Sequence, residues 1–274
     1  MKHWPFVFGG FATLIIIGVL GFFLFSSKGQ SKTTQQSQGE LEQVQPPDID
    51  ARPFFFFAPR SDGRAIQISI SGISEGTKID YEITYKTGAG LEQGIGGPVA
   101  LEPGQTFYTR EHIFGTCSKN VCTYDKGVEN GKWSATITQG NKFFELSGGW
   151  RLQNPGTKSA SIGLPDKFDL SLETGTLTKS LFLITSENSS LPKKLPEGIK
   201  AVFGPFTIAS SEQVSLKKPA KVSFNTEKTT NFQILQISTG QTDWKPLETT
   251  FDSAGKSATA STSTLGTFIL VEKI

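Results

Sequence analysis

The chain has 274 residues, 29 of them glycine and 14 proline, with 27 basic and 25 acidic side chains. Lys2 and Lys28 account for the whole formal charge of +2, so residues 29–274 balance at zero. They lack the basic footprint that phosphate-backbone binding needs, which argues against a nucleic-acid partner. Glycine, proline, threonine, serine and phenylalanine abound and Met1 is the only methionine, a composition that argues against a helical protein and for a turn-rich all-β one.

In chain order, residues 1–5 form a short cytoplasmic N-terminus ahead of Phe6 to Phe25, twenty residues without a charge and with Thr13 as the one polar side chain. As a helix this run is about 30 Å long, the thickness of a bilayer's hydrocarbon core. It is longer than the ~7–15 apolar residues of a cleavable signal. Leu24-Phe25 stands where a small residue should precede a cut. The reading is therefore an uncleaved signal-anchor through residues 6–25, with the C-terminal part outside the cytoplasm; the alternatives are a cleaved signal and a buried core helix. Residues 26–50 are rich in Ser, Gln, Thr and Lys and poor in large apolar side chains. Such a stretch buries too little to offset its ordering entropy, so a disordered stalk with a root-mean-square reach of about 25–30 Å is expected.

From Arg52 short apolar runs alternate with turn signals. Phe54, Phe55, Phe56 and Phe57 follow one another, and consecutive strand residues face opposite ways, so four rings do not share one core. One pair is expected to face outward as a candidate partner contact, unless the chain itself covers it. Ala65 to Ser71 and Ile79 to Tyr85 alternate with period two, the mark of a sheet with one wet face. Further strands are expected at Phe107 to Phe114, Trp133 to Thr138 and Phe143 to Leu152. Cys117 and Cys122 read first as a disulfide in an exported chain. Free thiols, or metal binding through His112, Cys117 and Cys122, are the alternatives, although a structural zinc site wants a fourth ligand. Phe114-Gly115-Thr116-Cys117 and Tyr124 to Gly131 resemble an immunoglobulin-like module of bacterial surface proteins over residues 51–157, without the Cys…Trp…Cys spacing of antibody domains.

Residues 158–274 offer strands at Phe168 to Leu172, Ser180 to Thr185, Ala201 to Phe203, Phe206 to Ala209, Ala220 to Phe224, Phe232 to Ile237 and Thr267 to Val271. Gly204-Pro205-Phe206, Leu216 to Phe224, Trp244 to Asp252 and Leu265 to Val271 resemble the ZU5-like β domains of bacterial exported proteins over roughly residues 195–274. The resemblance implies a β fold and says little of function. Some relatives self-cleave at His-Phe-Ser; Gly266-Thr267-Phe268-Ile269 stands here instead, which implies no autoproteolysis. The expected architecture is thus all-β: two β-sandwich domains behind one transmembrane helix and a stalk.

No catalytic set emerges. His112 is the only histidine after His3, and no Gly-x-Ser-x-Gly elbow occurs. Glu173 with Asp169, and Glu40 with Glu42, are carboxylate pairs better read as solvated faces; the Asp62-Gly63 and Asp252 to Gly255 turns gather too few oxygens for calcium. No cofactor and no metal are expected. Trp133, Trp150, Trp244 and Phe143-Phe144 read first as core, with a platform for stacking sugar rings or docking a partner as the alternative, and Asn188-Ser189-Ser190 matches a glycosylation sequon. The expected function is a non-catalytic cell-membrane protein for binding or envelope assembly, with the membrane and an unidentified protein or glycan as partners. An accessory subunit of a membrane complex, acting through its anchor, is the alternative, and an unrecognised hydrolase a further one.

Overall fold

Along Thr77–Lys86 the structure buries Ile79, Tyr81, Ile83 and Tyr85 while Lys78, Asp80 and Glu82 face out. This two-residue period is strand geometry, and it recurs throughout the computed structural model, which describes residues 41–119, 121–226, 232–252 and 256–274. The described residues contain twenty strands and no helix. The first five are β1 (Glu42–Gln43), β2 (Phe54–Pro59), β3 (Ala65–Ser71), β4 (Thr77–Lys86) and β5 (Glu92–Pro98). Next come β6 (Tyr108–Ile113), β7 (Gly115–Ser118), β8 (Val121–Tyr124), β9 (Asn130–Gln139) and β10 (Lys142–Gln153). β11 (Ala160–Leu164), β12 (Phe168–Leu172), β13 (Leu183–Glu187), β14 (Ile199–Ser210) and β15 (Ser215–Asn225) follow. The last are β16 (Phe232–Ser238), β17 (Lys245–Leu247), β18 (Thr249–Asp252), β19 (Ser257–Thr264) and β20 (Gly266–Lys273).

One ten-stranded sheet runs β17-β16-β20-β14-β13-β10-β9-β4-β5, with β1 parallel to β10. A five-stranded sheet has the order β11-β12-β15-β19-β18, a three-stranded sheet the order β2-β3-β6, and β7-β8 form a separate hairpin. The large sheet draws strands from both halves of the sequence, joined where Trp150 lies opposite Ser186 and Leu152 opposite Ile184. Residues Leu41–Ile274 form one compact unit.

The two main cores lie on opposite faces of the shared sheet. Phe55, Phe57, Ile66, Ile68 and Ile70 of the three-stranded sheet pack on Ile83, Trp133, Leu146, Trp150 and Ile184. Phe168, Leu170, Val222, Phe224 and Ala258 of the five-stranded sheet pack on Leu183, Phe206, Ile208, Phe268 and Leu270. Leu183 and Ile184 are neighbours on β13, so they point to opposite faces, and each enters a different core. Both faces of β13 are buried from Leu183 to Ser186, so its burial does not alternate, and Thr185 and Ser186 are buried with the two apolar residues. In the second core the Phe168 ring stacks on Phe206 at 4.9 Å and meets Phe224 edge-on at 5.1 Å.

A smaller cluster of Leu191, Leu235, Ile269 and Val271, with Ile49, Leu195 and Trp244 against it, covers the other face of β16 and β20. It corrects the extent of the stalk. Residues 41–50 belong to the fold: Glu42 N bonds Asn141 O and Val44 N bonds Phe143 O, both at 2.8 Å, while Val44 packs on the first core. Polar Glu42 and Gln43 hide the strand from a composition argument, because the pairing uses their backbone and leaves both side chains exposed. The membrane segment expected at residues 6–25 and the rest of the expected stalk, 26–40, lie outside the described residues. Among the described residues no helix is long and apolar enough to cross a membrane.

Candidate functional site

The chain enters this unit where β1 meets Lys142 and Phe143, at the start of β10. The far end of β10, about 30 Å away at strand rise, is built around Phe114. Its N–H donates to Arg64 O at 2.9 Å and its carbonyl accepts from Asp125 N at 3.0 Å. Its ring stacks on Trp150 at 5.6 Å and meets Tyr85 edge-on at 5.0 Å. Tyr85 Oη donates to Asp125 Oδ2 at 2.9 Å; burial, then the Asp125 carboxylate, push the tyrosine pKa up to about 12. These contacts fix the base of the β7–β8 hairpin, which projects without joining the other sheets.

Cys117 and Cys122 are cross-strand partners in that hairpin and form a disulfide. The bond uses both sulfurs, so neither thiolate is available to a metal. His112 is occupied elsewhere: its Nε2 and Tyr81 Oη share a 2.7 Å hydrogen bond. Burial, then the nearby Arg110 charge, lower the imidazole pKa, and burial followed by Tyr108 raises that of Tyr81. Arg60 grips Asp62 bidentately, Nε to Oδ1 at 2.8 Å and Nη2 to Oδ2 at 2.9 Å, which holds that carboxyl below its usual range. Arg60 and Arg64 both lie over the Tyr124 ring, at 5.5 and 5.2 Å, and so brace the hairpin's last residue.

The phenylalanine run is covered from within the chain. Phe55 stacks on Trp133 at 4.8 Å and Phe57 lies 5.6 Å from it; Phe54 is 7% exposed and Phe56 half-buried. The run therefore presents no open aromatic patch: three of its rings are buried, Phe56 is half-buried, and β2 lies close to β13 and β14. Trp133 and Trp150 are buried, and Trp244 is half-buried with its Nε1 donating to Lys193 O at 2.9 Å. Phe144 is buried and Phe143 half-buried. Asp169 accepts hydrogen bonds from Ser161 and Ser171 on a strand face. Asn188 of the sequon is buried and bonds Thr207 Oγ1 at 3.0 Å, so the folded chain does not offer it for modification. Among the described residues no three His, Cys, Asp or Glu side chains gather as a metal set.

A cleft of about 510 Å³ opens beside the far end of β10, where the two cores adjoin. Arg151 and Ser161 line both this cleft and a neighbouring one of about 290 Å³. Gln153 spans between the sheets: its Nε2 donates to Ser161 O and its Oε1 accepts from Gly163 N, both at 3.0 Å. Gly63, in the left-handed conformation at φ 68°, lies flat on the Phe182 ring at the cleft wall; an added Cβ there would sit 2.5 Å from Phe182 Cε1. Sequence reasoning missed this cleft. Its residues come from five separate segments, and the only local signal is Arg151 falling on the polar phase of β10 between buried Trp150 and Leu152.

No protein-family model matches the chain, and no curated protein matches it. Its function is therefore argued from the residues themselves.

Proposed function

We propose that the protein is a non-catalytic, membrane-anchored extracytoplasmic β protein that serves binding or envelope assembly. Residues 6–25 hold it in the membrane and residues 29–274 lie outside the cytoplasm. The observation that carries this reading is the Cys117–Cys122 disulfide, both of whose residues are exposed. An exposed disulfide persists where no thiol pool reduces it, which is the condition outside the cytoplasm. Each main core lies between two sheets, which supports two β-sandwich domains fused through a shared sheet: an immunoglobulin-like one over residues 51–157 and a ZU5-like one over residues 158–274. The partner on this reading is a protein or a glycan, met at the end of β10 away from the chain's entry.

The topology is tested by adding protease to intact cells whose outer layers have been made permeable. Digestion of residues 29–274 with a protected anchor fragment is the expected result. Digestion only after the membrane is lysed places the domain in the cytoplasm and overturns the proposal.

A further inference from the structure

The polar side chains of the larger cleft divide into committed and uncommitted groups. Gln153 is bonded at both ends of its amide, and Asn154 Oδ1 accepts from Gly156 N and Ser180 Oγ. Ser161 donates to Asp169, and Asp125 accepts from Tyr85. The charged groups left over are Arg151 and Glu129, whose side chains make no ion pair or hydrogen bond among the described residues. Arg151 is half-buried. A guanidinium whose N–H donors have no partner in the fold can take a planar acceptor. Glu129 is held near it because its carbonyl accepts from Leu152 N at 2.7 Å. The same cleft is lined by the half-buried apolar side chains of Val128, Pro155 and Phe182.

We propose that this cleft binds a short peptide, or a ligand of the same chemistry. The peptide carboxylate sits on Arg151, its free amine on Glu129, and an apolar side chain lies against Val128, Pro155 and Phe182. A carboxylate suits Arg151 better than phosphate does, because Asp125 and Glu129 line the same cleft and repel a doubly charged anion more strongly. The volume lies within the usual range for small-ligand sites, about 300–1,000 Å³. This assignment rests on the protein being a binding module and not on its topology, so the protease experiment and the one below fail independently.

The test is calorimetric titration of the full-length protein, in non-ionic detergent, with the dipeptide Ala-Phe, its C-terminal amide and its N-acetyl form. Saturable one-to-one binding of Ala-Phe is expected, with each blocked form at least about tenfold weaker. In Arg151→Met the acid and the amide should bind equally; in Glu129→Gln the free and acetylated forms should bind equally. Both variants should keep the wild-type unfolding midpoint, since neither side chain is bonded within the fold; if one does not fold, the other carries the test. No saturable binding up to about 10 mM Ala-Phe overturns the proposal, as does an unchanged preference for the free carboxylate in Arg151→Met. Displacement of the dipeptide by inorganic phosphate at lower concentration than by acetate overturns the carboxylate assignment.

Discussion

At Gly148 the missing side chain is a packing requirement. A Cβ built there lies 2.2 Å from Glu187 O and 2.6 Å from Trp133 Nε1. The indole N–H passes beneath this residue to donate to that same carbonyl at 2.9 Å. Gly148→Ala should therefore separate β10 from β13 or break the Trp133 bond, at a cost of about 2 kcal/mol or more; urea denaturation against wild type measures it, and a change under 0.5 kcal/mol would show the strands yield easily. His112 gives a pH signature with a definite sign. Burial, then the Arg110 charge, hold its folded pKa below the ordinary histidine value, so the unfolded chain binds the proton more readily. The stability it contributes is complete above the unfolded value and is lost as pH falls through the lower folded value. Urea midpoints at pH 7.5 and 5.5 should fall on acidification in wild type and much less in His112→Gln; equal falls in the two proteins would assign the loss to other groups.

Elements show where the sequence was legible and where it was not. β3, β4 and β9 alternate between a core and open solvent, so their period is written in residue order. β13 does not alternate, because each of its faces enters a core whose other members are distant in sequence, and the phenylalanine run does not alternate because it is apolar on both sides, with Phe56 alone half-buried. The disulfide was readable because two cysteines five residues apart in sequence have few other uses. Arg151 and Glu129 were not: the polar phase of β10 marks Arg151 as facing away from the first core, but nothing local brings it together with Glu129. Gln153 belongs with these unread features. Its amide replaces a neighbouring strand for β11, the edge of the five-stranded sheet, by bonding the outward Ser161 carbonyl and Gly163 N–H. Gln153→Ala should cost about 1 kcal/mol and accelerate amide exchange at Gly163, read by hydrogen–deuterium exchange; unchanged exchange would mean that burial, and not the bond, protects that edge. The hairpin should behave in the opposite way. Replacing both Cys117 and Cys122 with serine removes a short loop closure worth about 2 kcal/mol at most in the chain-entropy model. Since β7 and β8 pair with each other alone, exchange should rise across residues 115–124 while the global midpoint stays close to wild type. A large global loss would show that the hairpin supports the Phe114 packing beneath it.

For the whole molecule, the shared sheet decides whether two cores mean two unfolding units. β13 contributes Ile184 to one core and Leu183 to the other, and the backbone ladder from β10 through β13 to β14 runs unbroken between them. Loss of either core frees β13 on one face and leaves a single layer to hold its register, so the other core loses the strand that closes it. A single cooperative transition follows for residues 41–274. Tryptophan makes this measurable, because Trp133 and Trp150 lie in the first core while the second has none. Phe168→Ala removes the ring that contacts Phe206, Phe224 and Phe268 in the second core, a truncation that costs about 3–5 kcal/mol. In a background with Trp4 and Trp244 replaced by phenylalanine, fluorescence then reports the first core alone. The Phe168→Ala substitution should lower the urea midpoint seen by fluorescence as much as that seen by far-ultraviolet circular dichroism. A fluorescence midpoint that stays at the wild-type value while part of the dichroism is lost at lower urea would show that the halves unfold separately and that the sheet joins them in geometry only.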